Sequence, residues 1–339
     1  MPSKITLNDI AQKLNVSCVT VSKALRNQKG VSEELRKTII SEANRMGYGM
    51  SQRKSRKRMS TKNIGILVPE RFTSISASFD WALYQCVTNK LIETNYFGIL
   101  EVIKQEDEMR GKMPKVFDER HVDAVILLGQ MDWKYVRQIQ SQQIPMVLVD
   151  FYTNDPEIDA VITGGFTATY QLTEYLHECG HDKIGFVGQL QASSSIDDRF
   201  YGYMKSMMQH GCSFEECMKY HVTDRTHSGY SWQMQLPDLM PTAFVCNCDW
   251  VAYNFIRQLR ESGYRVPTDI SVVGFDNYGI VEICEPALTT VEIDMNQMAD
   301  VVVELLLRKL EGLPYNKGLN IVAGKVIYKE SVCKRNLEK

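Results

Sequence analysis

Cys18, Val19, Thr20, Ser22 and Lys23 place short side chains and one cation on what periodicity makes the exposed face of a helix. A face this low lets its helix lie deep in a DNA major groove, where base edges are read by hydrogen bonds and apolar contact. A second group is scattered along the chain but recurs in one kind of place. Asp150, Asp249 and Asp276 each stand just past a short apolar run, and Arg199 opens a helical segment after the loop at 193–195. In open α/β sheets, ligands bind beyond the carboxyl ends of the strands. Carboxylates accept and a guanidinium donates hydrogen bonds in fixed geometry, which suits a hydroxyl-rich ligand. Phe79, Phe151, Phe166 and Trp250 could offer flat faces to sugar C–H groups or to a base. Core packing is the simpler reading of each phenylalanine taken singly. Asp249 serves equally well as a cap on the helical segment that follows it.

Other chemistries find no residues to carry them. There is no Gly-x-Gly-x-x-Gly fingerprint, no Walker lysine, and no Ser-His-Asp or Cys-His arrangement, so neither a nucleotide cofactor nor an enzyme is expected. His177 and His181 have i, i+4 spacing, but Gly180 lies between them and ends the helix that would align them. Cys246-Asn-Cys248 puts two thiols on one face of a strand without a third ligand, so no metal is expected.

The reading face demands two short helices held steeply against each other. Leu7, Ile10, Ala11 and Leu14 keep i, i+3, i+4, i+7 spacing; Val21, Ala24 and Leu25 form a second stripe. Asn15-Val16-Ser17 leaves room only for a tight turn. Thr6 with Asp9 reads as a capping box, and Ser17 as the second N-cap. Two helices joined so tightly form a helix-turn-helix. A third helix starts at Ser32, with Glu33 and Glu34 in its first turn and Leu35, Ile39, Ile40, Ala43 and Met46 as its apolar stripe. Gly47 ends it and closes a small headpiece.

The string TLNDIA at 6–11, Ser17, TVSKAL at 20–25, then Val31-Ser32, Arg36 and NRMGY at 44–48, resembles the headpiece of the LacI/GalR family of bacterial transcription regulators. The resemblance continues through 181–188, 199–203, 241–244 and 266–276, so it spans essentially the whole chain. It implies a homodimer that sets two recognition helices in successive major grooves of a pseudo-palindromic operator, under the control of a small molecule in a cleft. On that basis Cys18, Val19 and Lys23 are expected to read bases, and Ser17, Thr20, Ser22 and Asn27 to hold phosphates, with Thr6, Tyr48 and Arg53 adding backbone contacts. Asp150, Arg199 and Asp276 match effector-contact positions; Ser193 and Ser195 match loop positions, and Phe79 an aromatic on the first lobe. Phe166 and Asp249 complete the expected effector set. A carbohydrate is the first expectation for the effector and a purine or nucleoside the second.

Three departures from the family pattern stand out. The linker after Tyr48 lacks the leucine that wedges into the minor groove; Met59 is the only apolar candidate there, among Arg53, Lys54, Arg56, Lys57 and Arg58. Lys23 stands where an arginine is frequent, so bidentate reading of guanine is weakened. Gly164-Gly165 replaces a frequent Asp-Asn, removing one polar anchor. No leucine heptad follows the last strand, so no tetramerising tail is expected.

Beyond residue 62 the texture becomes β-α repeats. Strands are expected at 64–68, 98–103, 124–128, 146–149 and 160–163, then at 183–187, 242–246 and 270–275, with shorter pieces at 289–293 and 321–328. Helices are expected at 81–95, 168–179, 200–210 and 250–263. Continuous apolar strands between helices mean parallel sheets covered on both faces. The expected α/β architecture is therefore an all-α headpiece (1–48), a basic linker (49–62) and two Rossmann-like, periplasmic-binding-protein-like subdomains, 63–163 with 293–322 and 164–292 with 323–333. Charge divides along the same line. Residues 1–62 hold 14 Lys and Arg against 4 Asp and Glu, whereas the rest holds 25 against 37. A basic arm on an acidic body is the layout of a protein that meets polyphosphate at one end. A sugar-binding protein without a DNA function would share the two-lobed part but not the basic headpiece. The absence of a signal peptide or a run of ~20 apolar residues, with nine scattered cysteines, points to a reducing cytoplasm.

Overall fold

The computed structural model describes residues 6–25, 30–46, 60–73, 79–224 and 234–335 of the 339. The chain forms two compact units that divide between Ser60 and Thr61.

The first unit holds α1 (Leu7–Leu14), α2 (Cys18–Leu25) and α3 (Glu33–Arg45). The capping box forms in full: Asp9 Oδ2 accepts from the Thr6 N–H at 2.6 Å, and Thr6 Oγ1 accepts from the Asp9 N–H at 3.3 Å. Asn15 ends α1 in the left-handed region (φ 52°), the turn that lets α2 start three residues later. Ser17 Oγ caps α2 by accepting from Thr20 N–H at 3.0 Å. Ile10, Ala11, Val21, Ala24, Ile39 and Ala43 make the core, with Leu7, Leu14, Leu25 and Leu35 packed around them.

The second unit is built on two sheets. β1 (Asn63–Pro69), β2 (Phe97–Ile103), β3 (Ala124–Leu128), β4 (Met146–Val149), β5 (Ala160–Thr163) and β10 (Leu319–Val322) form the first, in order β10-β5-β4-β3-β1-β2. Every neighbouring pair is parallel. α4 (Phe79–Glu93), α5 (Gln105–Arg110), α6 (Trp133–Gln140) and α11 (Met295–Glu311) are the helices on this sheet. α11 is bound there by Lys309 Nζ on Asp159 Oδ2 at 2.5 Å and by Lys90 on Asp300 at 2.6 Å. The second sheet contains β6 (Ile184–Val187), β7 (Ala243–Cys246) and β8 (Ser271–Val273), again parallel. α7 (Gly165–Glu178), α8 (Ser194–Gln209), α9 (Phe214–Lys219) and α10 (Asp249–Glu261) accompany it. β9 (Thr290–Ile293) and β11 (Gly324–Ile327) pair antiparallel and join β8 through bridges at Val273–Thr289 and Asp276–Glu292.

Several helices start earlier than expected, α8 by six residues, and two expected strands differ in a way that changes the pairing. The run 321–328 is not one strand: it breaks at Ala323, and its halves pair in different sheets. The run 270–275 pairs with β7 only over Ser271–Val273; beyond it the Gly274 and Asp276 N–H groups donate to Thr289 O and Val291 O, so the chain has changed neighbour. Among the described residues no helix is long and apolar enough to cross a membrane.

Candidate functional site

On the headpiece, Val21 and Ala24 turn inward while Ser17, Cys18, Val19 and Lys23 are exposed, Val19 at 63%. Thr20 and Ser22 are partly covered. Val19 stands exposed among small polar side chains, a low surface of the kind that fits a groove floor. The Ser17 and Thr20 hydroxyls bond each other at 2.8 Å, and Cys18 Sγ lies 3.3 Å from Asn8 Oδ1. The Thr6 hydroxyl is committed to Asp9. Asn27, Tyr48, Arg53 and the linker residues discussed above lie outside the described residues.

The reading helix is held by a residue that pattern analysis left without a role. Arg36 is only 8% exposed and donates to the carbonyls of Ala24 (3.3 Å) and Val31 (3.4 Å), the end of α2 and the start of the next turn. Six buried apolar side chains are a small core, so the headpiece depends on such ties. Arg36→Ala should cost about 1–3 kcal/mol by orphaning those carbonyls. A thermal melt of the chain should show the headpiece transition lowered, with weaker duplex binding and an unchanged core transition.

The second site lies where the carboxyl ends of both sheets meet. Asp150 follows β4, Asn247 follows β7 and Asp276 lies three residues past β8, while α8 brings Arg199 and Ser195 in from its first turns. Ser195 Oγ donates to the Asp150 carbonyl at 2.5 Å and reaches its carboxylate at 3.2 Å, tying the two sheets together. Tyr152 OH donates to Asp198 Oδ1 at 2.9 Å and Ser194 N–H to Gln130 Oε1 at 3.1 Å, which repeats that tie on either side. Arg199, 6% exposed, lies on the Phe275 ring at 3.9 Å, donates Nη1 to Asn247 O at 2.6 Å and faces Asp276 Oδ1 at 3.6 Å. A cavity of about 890 Å³ opens beside this lock, lined by Arg71, Glu108, Gln130, Tyr152, Ser193 and Asp197 among others.

Burial dominates the electrostatics. It pushes Asp80 up to about 7, helped by the neighbouring Asp150 carboxylate and opposed by Arg199. Asp150 is pushed up to about 6 for the same reason, with Arg199 and the Ser195 hydroxyl pulling the other way. Asp276 stands well above the ordinary carboxylate range despite Arg199, because it is buried and has Asp249, Asp150 and Asp80 for company. Burial thus favours the neutral form of all three carboxyls.

The expected set divides on this geometry. Asp150, Ser195, Arg199 and Asp276 come together. Ser193 is the α8 N-cap: its hydroxyl accepts from Ile196 N–H at 3.2 Å, although its backbone borders the cavity. Asp249 is the first residue of α10, 1% exposed, and accepts from Thr290 Oγ1 at 2.6 Å. Phe79 and Phe151 are core residues, at 8% and 0% exposure. Phe166 is 38% exposed on the outer side of α7, with Lys205 Nζ 5.5 Å above its ring. Trp250 stacks on Tyr253. The missing polar anchor at Gly165 has a steric cause: a Cβ there would stand 3.1 Å from Arg199 Cγ, so glycine makes room for the guanidinium. Asp80 and Asn247 were missed. Asp80 enters because α4 starts at Phe79 and not at Trp81, which puts the carboxylate in the first turn. His177 stacks on His210 at 3.7 Å, and His181 bonds Thr242 and Cys333, each in a packing role. No group of His, Cys, Asp and Glu among the described residues is placed to hold a metal.

A helix-turn-helix unit joined to a two-sheet core with polar side chains converging at its strand ends defines a DNA-binding transcriptional regulator. Residues 6–50 match the lacI family of bacterial regulatory proteins, and residues 173–332 match the periplasmic binding protein-like domain. The transcriptional repressor CytR of Escherichia coli K12 is 25% identical over 331 residues, 96% of each chain. Among solved structures, the regulator CelR in complex with cellobiose superposes with a TM-score of 0.69 at 21% identity, covering 96% of this chain and 99% of that one. The lac repressor dimer bound to operator and an anti-inducer superposes at 0.65 and 19% identity over 98% and 100%.

Proposed function

We propose that this chain acts as a homodimeric repressor whose α2 helices read a pseudo-palindromic operator, and whose affinity for DNA is set by a small hydroxyl-rich molecule in the cleft. Cys18, Val19 and Lys23 face the bases, while Ser17, Thr20 and Ser22 face phosphates. Asp150, Ser195, Arg199 and Asp276 take the effector. The observation that carries the reading is the Ser195–Asp150 bond beside the Arg199–Asp276 pair, which gathers donors and acceptors from both sheets at one place. Any ligand seated there favours one arrangement of the sheets, and a ligand and operator coupled through that arrangement alter each other's affinity by the same factor. The test is a thermal-shift screen of sugars and nucleosides, followed by gel shifts of a selected duplex with and without each hit. The expected result is a hit that changes operator affinity by about 5- to 150-fold. A hit that stabilises the core yet leaves operator affinity unchanged would sink the regulatory reading. The same gel shifts should weaken by roughly 0.9 log unit per log unit of salt for each phosphate neutralised.

A further inference from the structure

We infer that Cys212 and Cys217 form a modification site: a dithiol, at the end of α8 opposite to its cleft residues, that a hydroperoxide converts reversibly into a disulfide. The local fold brings the two sulfurs together in two steps. Gly211, in the left-handed region (φ 85°), turns the chain back after α8, and the Cys212 N–H then donates to Met207 O at 3.0 Å. Ser213 and Glu216 form a capping box that starts α9. One helical turn later Cys217 is 1% exposed, in the same buried cluster as Tyr203, Met204 and Met207. Its Sγ donates to Cys212 Sγ at 3.1 Å, while Cys212 Sγ donates to Ser213 O at 3.6 Å. A disulfide bond is about 2.05 Å long, so the thiols stand only about 1 Å short of it. All nine cysteines are free, and among the described residues no other two share a hydrogen bond.

The two thiols differ in the way a sensing pair requires. Cys212 is partly exposed and meets the oxidant; Cys217 is buried, and burial pushes its thiol up to about 12, so it stays protonated until its partner has reacted. The Cys212 thiolate attacks one peroxide oxygen and the O–O bond breaks. The other oxygen leaves as alcohol or water with the thiol's proton, and Cys212 becomes a sulfenic acid. The Cys217 sulfur then attacks the Cys212 sulfur, the S–O bond breaks, and the departing hydroxide takes the Cys217 proton as water. Two thiols have lost two hydrogens and one peroxide has been reduced. A small thiol reverses the step by exchange, so in a reducing compartment the dithiol is the resting form. The bond staples α9 to the end of α8. α9 runs on to Val222, whose N–H donates to Phe186 O and whose carbonyl accepts from Gly188 N–H, so the staple also steadies the carboxyl end of β6.

The experiment treats the reduced full chain with hydrogen peroxide below its melting point, alkylates the remaining thiols in denaturant and digests with trypsin without reductant. Both cysteines fall in the one peptide between Lys205 and Lys219. That peptide should become two hydrogens lighter and refuse alkylation, and dithiothreitol should restore both thiols. The oxidised chain should show its core transition raised by about 2–6 °C, since the fold already holds the sulfurs in place. In Cys212→Ser, a change at a partly exposed position, Cys217 should lose its thiol at least tenfold more slowly, because nothing exposed relays the oxidant to it. Three results would overturn the inference: Cys212 driven to sulfinic acid while Cys217 stays alkylatable, a link from either residue to any other cysteine, or a core transition lowered by the bond. Oxidation of Cys217 at an unchanged rate in Cys212→Ser would overturn it as well.

Discussion

A chain that begins at Thr61 is expected to lose at least about 10³-fold in affinity for its operator while binding cleft ligands as the full chain does. The two units divide at that point, and each has its own apolar core, so the cut crosses no cluster of buried side chains. The first strand stays anchored, because the Lys62 N–H still donates to Asp123 Oδ2 at 2.9 Å. What the truncation removes is the reading face of α2 and nearly all of the local positive charge; the remainder is net acidic. Phosphate neutralisation supplies a large share of DNA affinity, so an acidic core repels duplex. Fluorescence anisotropy with labelled operator would measure the loss. A trimmed core that still held operator within tenfold of the intact chain would remove α2 as the reader.

Arg199→Ala is the point change with the largest expected effect. It strips Asp276 of the one close cation among the described residues and Asn247 O of its donor, and it leaves a void over Phe275. Removing one partner of a buried ion pair costs about 3–5 kcal/mol. The loss depends on pH in a defined direction. Asp276, Asp150 and Asp80 are already raised in the folded protein, and without Arg199 they rise further. Carboxyls with raised folded-state values destabilise as pH climbs above their unfolded values, so the Tm deficit should be larger at pH 8 than at pH 5. Any thermal shift given by a cleft ligand should vanish, whereas operator binding below the melting point should survive. Equal deficits at both pH values would mean that the loss is packing alone and that the carboxyls do not answer to Arg199.

Much of this was legible in the sequence because the informative patterns are local. The capping box at Thr6 and Asp9, the turn at Asn15 and the apolar stripes each need a dozen residues or fewer. Runs such as 124–128 and 146–149 read as buried strands to the residue. The cleft was legible only by half. Position after a strand brings Asp150 and Asp276 beside Ser195 and Arg199, whereas Asp249 bonds Thr290 at the start of its helix, the structural role that the sequence left equally open. Asp80 was hidden by a helix start placed two residues late, and nothing along the chain signals that the charge of Asp150, seventy residues away, helps to raise its carboxyl. Phe79 and Phe151 pack in the core, the simpler of the two readings that their positions allowed.

The path of the chain between the two sheets has a consequence for biogenesis. β10 enters the first sheet beside β5, and α11 covers that sheet, yet both are made after every strand of the parallel β6-β7-β8 set. The amino-terminal half therefore leaves the ribosome with an open strand edge and an uncovered apolar face. At about 5–20 residues per second it stays so for many seconds, until residue 322 has been polymerised. Nascent chains stalled before α11 should bind chaperones and proteases through that half, while chains released after β11 should escape them together.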